Sequence, residues 1–304
     1  MNVRIMERQI HDTFKPLTVS ICVPAYNEEK SIAYVLKRVL NAANNVSNKN
    51  FIVKDVVVVS ESTDRTNEIV REFGNLDPRV KLLESRKRLG LSGAITLFLK
   101  RTKSDVVVII DADVFLSPNA LRALLLPFYK EPRLYATSGR KTPISRSSIV
   151  RAFWRIHHEL CLLRPKLCSS IMAFRSGIIK EIPRIFGTPD TYIQSVLERK
   201  GLHILYVPTA EGQTLEPNTI RGFIAQRERI YVQHLLLEET LNYRPPAFNP
   251  QLYLTALIRA LLNDRKTKAL DYLACATLEL FSRLLGLWRF KKEYLKSYVW
   301  EKVR

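Results

Sequence analysis

The chain places chemically capable side chains at the ends of several apolar runs. In "SDVVVIIDAD", Ser104 to Asp113, a run of Val and Ile ends in Asp111 and Asp113, with Ala112 between them. Residues i and i+2 of a strand share a face, so both carboxylates can look into one cleft. Two acids without a cation beside them in sequence repel unless a cation bridges them, and a hard divalent ion suits such oxygen ligands. The alternative is a pair of turn formers at a strand end, a position Asp also favours. In "PAYNEE", a strand ends at Pro24, before Ala25, and a turn exposes Tyr26, Asn27 and Glu28 at the start of a helix. There a ring and polar groups can meet a nucleoside, or Asn27 can simply cap the helix. In "RKRLGLSGA", Arg86, Lys87 and Arg88 precede Gly90, Ser92 and Gly93 at another helix start. Backbone N–H groups flanked by guanidinium groups make a diphosphate site; a solvated charge run before a tightly packed helix is the alternative. In "SESTDRT", the cluster Ser62, Thr63 and Asp64 reads as a helix cap.

The elements that position these groups alternate along residues 17 to 208. "LTVSICVP", "KDVVVVS", "VKLLES" and "DVVVIIDAD" are strand runs, separated by the amphipathic patterns "EEKSIAYVLKRVLNAA", "TDRTNEIVREFG" and "LSGAITLFLKRT", with "SPNALRALLLPFY" after the last. Continuous Val/Ile runs with helices between them predict an α/β fold whose parallel sheet is covered on both faces. Ligands of such sheets sit beyond the carboxyl ends of the strands, where "PAYNEE", "SESTD" and "DAD" all fall. Further on, helices are predicted at "SSIVRAFWRIHHELCLLR" and "TYIQSVLERKG", with a strand at "HILYVP". His157 and His158 are adjacent, hence on different helix faces, and read as ordinary helix residues. After Pro250 the pattern becomes leucine-rich helices and a basic aromatic tail, and the three prolines of "YRPPAFNP" mark a boundary. The expected organisation is an extension over 1–16, a catalytic α/β domain over 17–243 and an amphipathic basic region over 244–304.

Composition narrows the classes. Lys and Arg number 48 against 29 Asp and Glu, a net charge of +19, which predicts attraction to phosphates of nucleotides, nucleic acid or an anionic membrane. Four cysteines without a C-x-x-C pair read as reduced thiols in a cytoplasmic setting, excluding a disulfide scaffold and structural zinc. The amino terminus has no apolar core of a secretory signal. No apolar run is long enough to span a membrane; Asp271, Glu279 and Arg283 interrupt the nearest.

Taken in order, "SICVPAYNEEKSIAYVL", "VVVVSESTDRT", "RKRLGLSGA" and "VVVIIDADVFLSP" resemble family-2 glycosyltransferases of the GT-A fold, over about residues 17 to 229. The resemblance implies a mostly parallel Rossmann-like sheet, and an inverting transfer from a UDP- or GDP-linked sugar with Mg2+ or Mn2+ on Asp111 and Asp113. The donor would contact Pro24 through Glu28, Ser60, Glu61, Arg88, Gly90, Ser92, Asp111 and Ala112. Family members carry an acidic pair before Ser62; here Val59 and Ser60 stand there, with Glu61 next, which leaves the nucleobase open. Asp190 and Gly201 match the family's acceptor-side motif, with Pro189 where Glu is usual. Asp190 then reads as a general base, or else as the cap of the helix that follows. "QRERI" is similar to the Q-x-x-R-W of membrane-associated members, with Ile230 for the tryptophan; it implies Gln226 near the acceptor and Arg229 on the departing diphosphate. "RLGLSGA" is similar to polyprenyl-phosphate mannose synthases, where arginines in a stretch comparable to "TSGRKTPISR" grip phosphate, which brings in Arg140.

A base at Asp190 fits a hydroxyl acceptor of a glycan or lipid-linked sugar, because a polyprenyl phosphate is already anionic. Transfer to a polyprenyl phosphate is the alternative. A nucleotidyltransferase would use a similar carboxylate pair but needs a lysine motif where "PAYNEE" stands. A basic nucleic-acid binder would explain the charge and leave the ordered acidic loops unexplained, so no nucleic acid is expected. The leucine stripe from Leu270 to Trp288 and the cationic tail predict either peripheral attachment at the cytoplasmic membrane face or packing on the catalytic domain or a partner.

Overall fold

The computed structural model describes residues 15–47, 50–264 and 267–293, so the expected N-terminal extension, all but its last two residues, and the tail beyond Glu293 lie outside the described residues. The first half runs β1 (Leu17–Ala25), α1 (Ile32–Val46), β2 (Phe51–Ser60), α2 (Thr66–Leu76), β3 (Val80–Glu84), α3 (Gly90–Leu99) and β4 (Val106–Ile110). It continues through β5 (Val114–Leu116), α4 (Ala120–Lys130), β6 (Leu134–Ile144), α5 (Ser148–Leu163), β7 (Ile171–Arg175), α6 (Pro189–Arg199) and β8 (His203–Leu215). Three long helices follow: α7 (Ile220–Leu241), α8 (Pro250–Asn263) and α9 (Ala269–Glu293).

All eight strands form one sheet in the order β3-β2-β1-β4-β7-β6-β8-β5. The unbroken apolar run of β4 has a simple cause. Val106, Val108 and Ile110 pack into the core on one face, and Val107 and Ile109 into the core on the other. A strand covered on both sides has no solvent face to carry polar residues, so its sequence reads as a continuous apolar run.

The sheet is mixed where the sequence predicts parallel pairing. β3, β2, β1 and β4 are parallel, but β7 runs antiparallel to both β4 and β6, and β5 antiparallel to β8. The chain leaving α5 turns back through residues 164–170, which sets Ile171 of β7 opposite Ile110 at the end of β4. The polarity reversal therefore brings the α5–β7 loop to the carboxyl edge of β4, beside Asp111. Close packing there requires glycine. A Cβ on Gly212 would meet Val114 Cγ1 at 2.8 Å, and one on Gly139 would meet Ile171 Cβ at 3.1 Å.

The carboxy-terminal helices pack inward as well. α8 and α9 share a core with α5 and Phe223 of α7, built around Phe153, Leu160, Ala256, Ala260 and Tyr272. The proline-rich segment between α7 and α8 turns once at Pro246–Phe248, buries Tyr243 and Pro246, and ends at Asn249, whose side chain caps α8 by accepting from Leu252 N at 3.1 Å.

Candidate active site

A cavity of about 820 Å³ opens at the carboxyl ends of β1 and β4 and continues between α5, α7 and α9. Its first wall is the loop after β1. Asn27 takes a left-handed conformation, φ +54°, a region in which Asn is tolerated better than most side chains. Its backbone N–H donates to Ser62 Oγ (2.9 Å) and its side chain accepts from Thr63 N (2.9 Å), so Asn27 ties two loops together. It does not cap α1, whose cap position is Ser31. Asp64 ties the same pair of loops, accepting from Thr66 N (3.0 Å) and from Glu29 N (3.2 Å). Burial pushes its pKa up, and the bonds from Thr66 and Glu29 outweigh that and hold it below the usual value.

The α3 amino terminus is differently arranged from the expectation of an open diphosphate cradle. Glu61, buried, accepts from Leu89 N at 2.8 Å and Gly90 N at 3.4 Å and pairs with Arg88 at 3.3 Å. A carboxylate of the chain itself thus satisfies the helix end, which favours negative charge. Arg88 in turn lies 3.3 Å from the centre of the Tyr26 ring. Pro24, Ala25, Tyr26, Asn27, Glu28, Glu61, Arg88 and Gly90 all line the cavity. Ser60 and Ser92 do not: Ser60 donates to Ser62 Oγ, and Ser92 donates to the Phe186 carbonyl.

Asp111, Ala112, Asp113 and Asp190 meet at the head of the cavity. The α5–β7 loop joins them. Ser170 Oγ donates to Asp111 at 2.9 Å, and the neighbouring Ser169 N donates to Asp190 at 3.4 Å. One dipeptide thus bonds both carboxylates, and the charge of Asp190 is felt at Asp111. Asp190 sits at the second position of α6, after the cap position Thr188 and Pro189, so the capping role belongs elsewhere. Burial and the charge of Asp113 push Asp111 up to about 7, with Asp190 adding to the rise and Lys141 and the Ser170 bond opposing it. A site that resists ionisation this way fits a divalent cation, whose charge removes the conflict. Among the described residues no group of three or more His, Cys, Asp or Glu side chains could cage a metal alone. The two carboxylates are the donor set that Mg2+ typically takes when substrate phosphates supply the rest.

Cations line the remaining walls. Alternation along β6 turns Lys141 into the cavity, while Arg140 is absent from the lining and pairs in register with Glu211. Lys141 forms a buried ion pair with Glu216 at 2.7 Å; Glu216 also accepts from Thr214 (3.0 Å) and from Gln226 (3.2 Å). Burial lowers the Lys141 pKa, and the Glu216 charge, with Cys168, Asp113 and the Glu216 hydrogen bond adding to it, outweighs that and leaves it raised. Gln226 and Arg229 line the cavity from α7, and burial brings Arg229 down to about 10. Deeper in, Arg227 grips Glu279 of α9 through two bonds, 2.8 and 3.2 Å, and Arg283 adds bonds at 3.1 and 3.2 Å to the same carboxylate. Burial pushes Glu279 up, but Arg227 and Arg283 together pull it down to about 2.

Lys166, Ser169, Ser170, Glu216 and Glu279 also line the cavity and are absent from the sequence-based assignment. The serines sit in a loop without a periodic pattern. Their one signal in sequence is a polar pair, "CSSI", entering a short apolar strand.

Residues 20–180 match the family model described as glycosyl transferase family 2. The chain belongs to glycosyl transferase family 2. A poly-beta-1,6-N-acetyl-D-glucosamine synthase of Staphylococcus epidermidis is 24% identical over 226 residues, 69% of this chain and 53% of that protein. A dolichol-phosphate mannosyltransferase of Pyrococcus furiosus is 31% identical over 109 residues, 36% of this chain and 29% of that protein. The chain spans about half the length of the first of these curated relatives, and less of the second. A mannosyltransferase from Pyrobaculum calidifontis, solved with GDP-Man and Mn2+, superposes with a TM-score of 0.61 at 21% identity, covering 91% of this chain and 85% of that one. A glucosyl-3-phosphoglycerate synthase from Mycobacterium tuberculosis, solved with Mn2+, UDP-glucose and phosphoglyceric acid, gives 0.51 at 20% identity, covering 71% and 78%. At such identities the likeness is one of fold, and it bears out the GT-A-type α/β expectation. Family membership also favours glycosyl transfer over the nucleotidyltransferase alternative.

Proposed function

We propose that the protein transfers a sugar, with inversion, from a UDP- or GDP-linked donor to a hydroxyl of a glycan or lipid-linked acceptor at a cytoplasmic membrane face. The observation that supports this reading is the Ser169–Ser170 dipeptide, which bonds Asp190 and Asp111 through successive residues and so links the proposed base to the carboxylate pair. Asp111 and Asp113 would hold Mg2+ or Mn2+, which offsets the charge of the nucleoside diphosphate leaving group. Tyr26, Arg88 and Glu61 form the wall against the nucleoside. Lys141, oriented by Glu216, and Arg229 face the diphosphate with fixed positive charge, which is worth most where charge grows as the bond breaks. Asp190 accepts the proton of the attacking hydroxyl on the face away from the diphosphate.

A polyprenyl phosphate acceptor is the second reading, favoured by Lys166 on the cavity wall. Calorimetry with UDP and GDP in the presence of Mn2+, followed by hydrolysis of UDP- and GDP-linked sugars, tests the donor half. Binding should fall at least tenfold in Asp111→Asn and Asp113→Asn; equal binding would refute the carboxylate assignment. Asp190→Asn separates the acceptors. Unchanged donor binding with transfer reduced by ~10²-fold or more supports a hydroxyl acceptor. Full transfer in that variant would leave the phosphate reading.

A further inference from the structure

The two carboxy-terminal helices carry an apolar stripe on the side away from the cavity. On α8 it consists of Leu254, Ile258, Leu261 and Leu262, all exposed. On α9 it consists of Leu270, Leu273, Leu280, Leu284 and Trp288, between 58% and 74% exposed. The spacing of three, four and seven residues holds each set to one helical face. The opposite face is accounted for: Ala256, Ala260, Tyr272, Cys275 and Glu279 are buried.

Charge on these helices is sorted by side. Asp264 accepts from Tyr272 Oη (3.0 Å) and Thr267 Oγ1 (2.7 Å), Asp271 from Ser148 Oγ (2.6 Å), and Glu279 is held by Arg227 and Arg283. Each of these acids is turned inward onto a partner. Arg259, Lys268, Lys291 and Lys292 are exposed, and Lys292 lies 4.9 Å from the Trp288 ring centre. No helix among the described residues is long and apolar enough to cross a membrane.

We infer that the outer face of α8 and α9 is a docking surface for an anionic lipid bilayer, into which the stripe inserts part-way while the exposed cations meet the headgroups. An apolar stripe edged by cations, with Asp264, Asp271 and Glu279 withdrawn, complements a negative surface. A second copy of a chain of net charge +19 would bring like charges together instead. The inner faces of the same helices line the cavity through Tyr253, Glu279 and Arg283, so docking brings the acceptor half of the cavity next to the lipid surface. The inference deepens the membrane element of the proposed function and is independent of its chemistry.

Co-sedimentation of the full chain with phosphatidylcholine vesicles, with and without phosphatidylglycerol, tests it. Binding is expected with the anionic vesicles alone, falling at least tenfold in Leu273→Glu/Leu284→Glu, whose substituted positions face outward, with circular dichroism used to check that the fold is kept. Nucleotide binding by calorimetry, measured on the same variant, should not change, so failure of the lipid surface and failure of the donor site are read separately. Folded wild-type protein that stays in the supernatant at moderate salt would overturn the inference. So would a double variant that sediments like the wild type, or a concentration-dependent dimer that the same substitutions abolish.

Discussion

Replacing Glu279 by Gln isolates one carboxylate that the structure holds far from its solution behaviour. Glu279 is 3% exposed and sits between two guanidinium groups, which hold its pKa at about 2 against a usual value of 4.5. A carboxyl whose pKa is depressed on folding stabilises the protein fully above its unfolded value and ceases to do so as pH falls through its folded value. The window runs from 4.5 down to about 2. At about 1.4 kcal/mol per unit, that window corresponds to roughly 3 kcal/mol. Gln is close in shape to protonated Glu, so the variant should be about 3 kcal/mol less stable at pH 7, the size found when one partner of a buried pair is removed. The deficit should shrink toward zero as pH drops through the window. Urea unfolding of both proteins at pH 7, 5, 4 and 3, with m-values compared to check that the unfolded states match, reads this out. A deficit that stays constant with pH would show that Glu279 contributes by shape alone and would refute the electrostatic account.

Further outcomes follow from the same geometry. Lys141→Met leaves the buried Glu216 without its cation and should cost about 3 kcal/mol by urea unfolding, with nucleotide affinity reduced in calorimetry. Arg88→Ala removes the guanidinium from the Tyr26 face and one partner of Glu61; it should cost about 1 kcal/mol and weaken UDP or GDP binding, whichever the donor uses. Gly139→Val forces a branched side chain against Ile171 and the neighbouring strand and should destabilise by at least about 2 kcal/mol in thermal unfolding. His157 and His234 are held well below their usual pKa, first by burial and then by neighbouring cations. The unfolded chain therefore takes up more protons below pH 6.5, and stability should fall by up to about 1.4 kcal/mol per pH unit per histidine as pH drops from there.

The order β1-α1-β2-α2-β3-α3-β4 is legible in sequence because buried Val/Ile runs alternate with apolar helical segments, whereas the three-residue β5 before α4 is too short to show a pattern. α7 is not legible either. It lies between the cavity and α9, so its inner side carries Gln226, Arg227, Arg229, Gln233 and His234, and polar residues at inward positions erase the apolar period. β6 and β7 are obscured for a related reason: β6 passes from the core at Ala136 to the cavity at Lys141 and reads as a mixed segment, and β7 is only five residues long. At the site, Asp111, Asp113 and Asp190 are found by their position after strands or at a helix start. The partners that orient them are not, because Ser169 and Ser170 reach them from a loop about 20 and 60 residues away in the chain. Glu61 is read from sequence as a donor contact, yet its bonds go to backbone groups 28 and 29 residues further on, a pairing that local spacing does not encode. Arg140 and Lys141 differ only in strand parity; the sequence points to Arg140, and the strand turns Lys141 into the cavity instead.

The cavity has a seam. Its head is built within the family-matched residues 20–180 and by Asp190 just beyond them, while the walls that α7 and α9 set opposite α5 come from beyond the match. Under the proposed reading the donor occupies the first part and the acceptor the second. A chain organised this way can exchange what it sugars without rebuilding how it activates the sugar. Grafting the segment from Asn218 onward between relatives is then a rational route to new acceptor ranges, provided the inward acid at position 279 and its two arginines travel together.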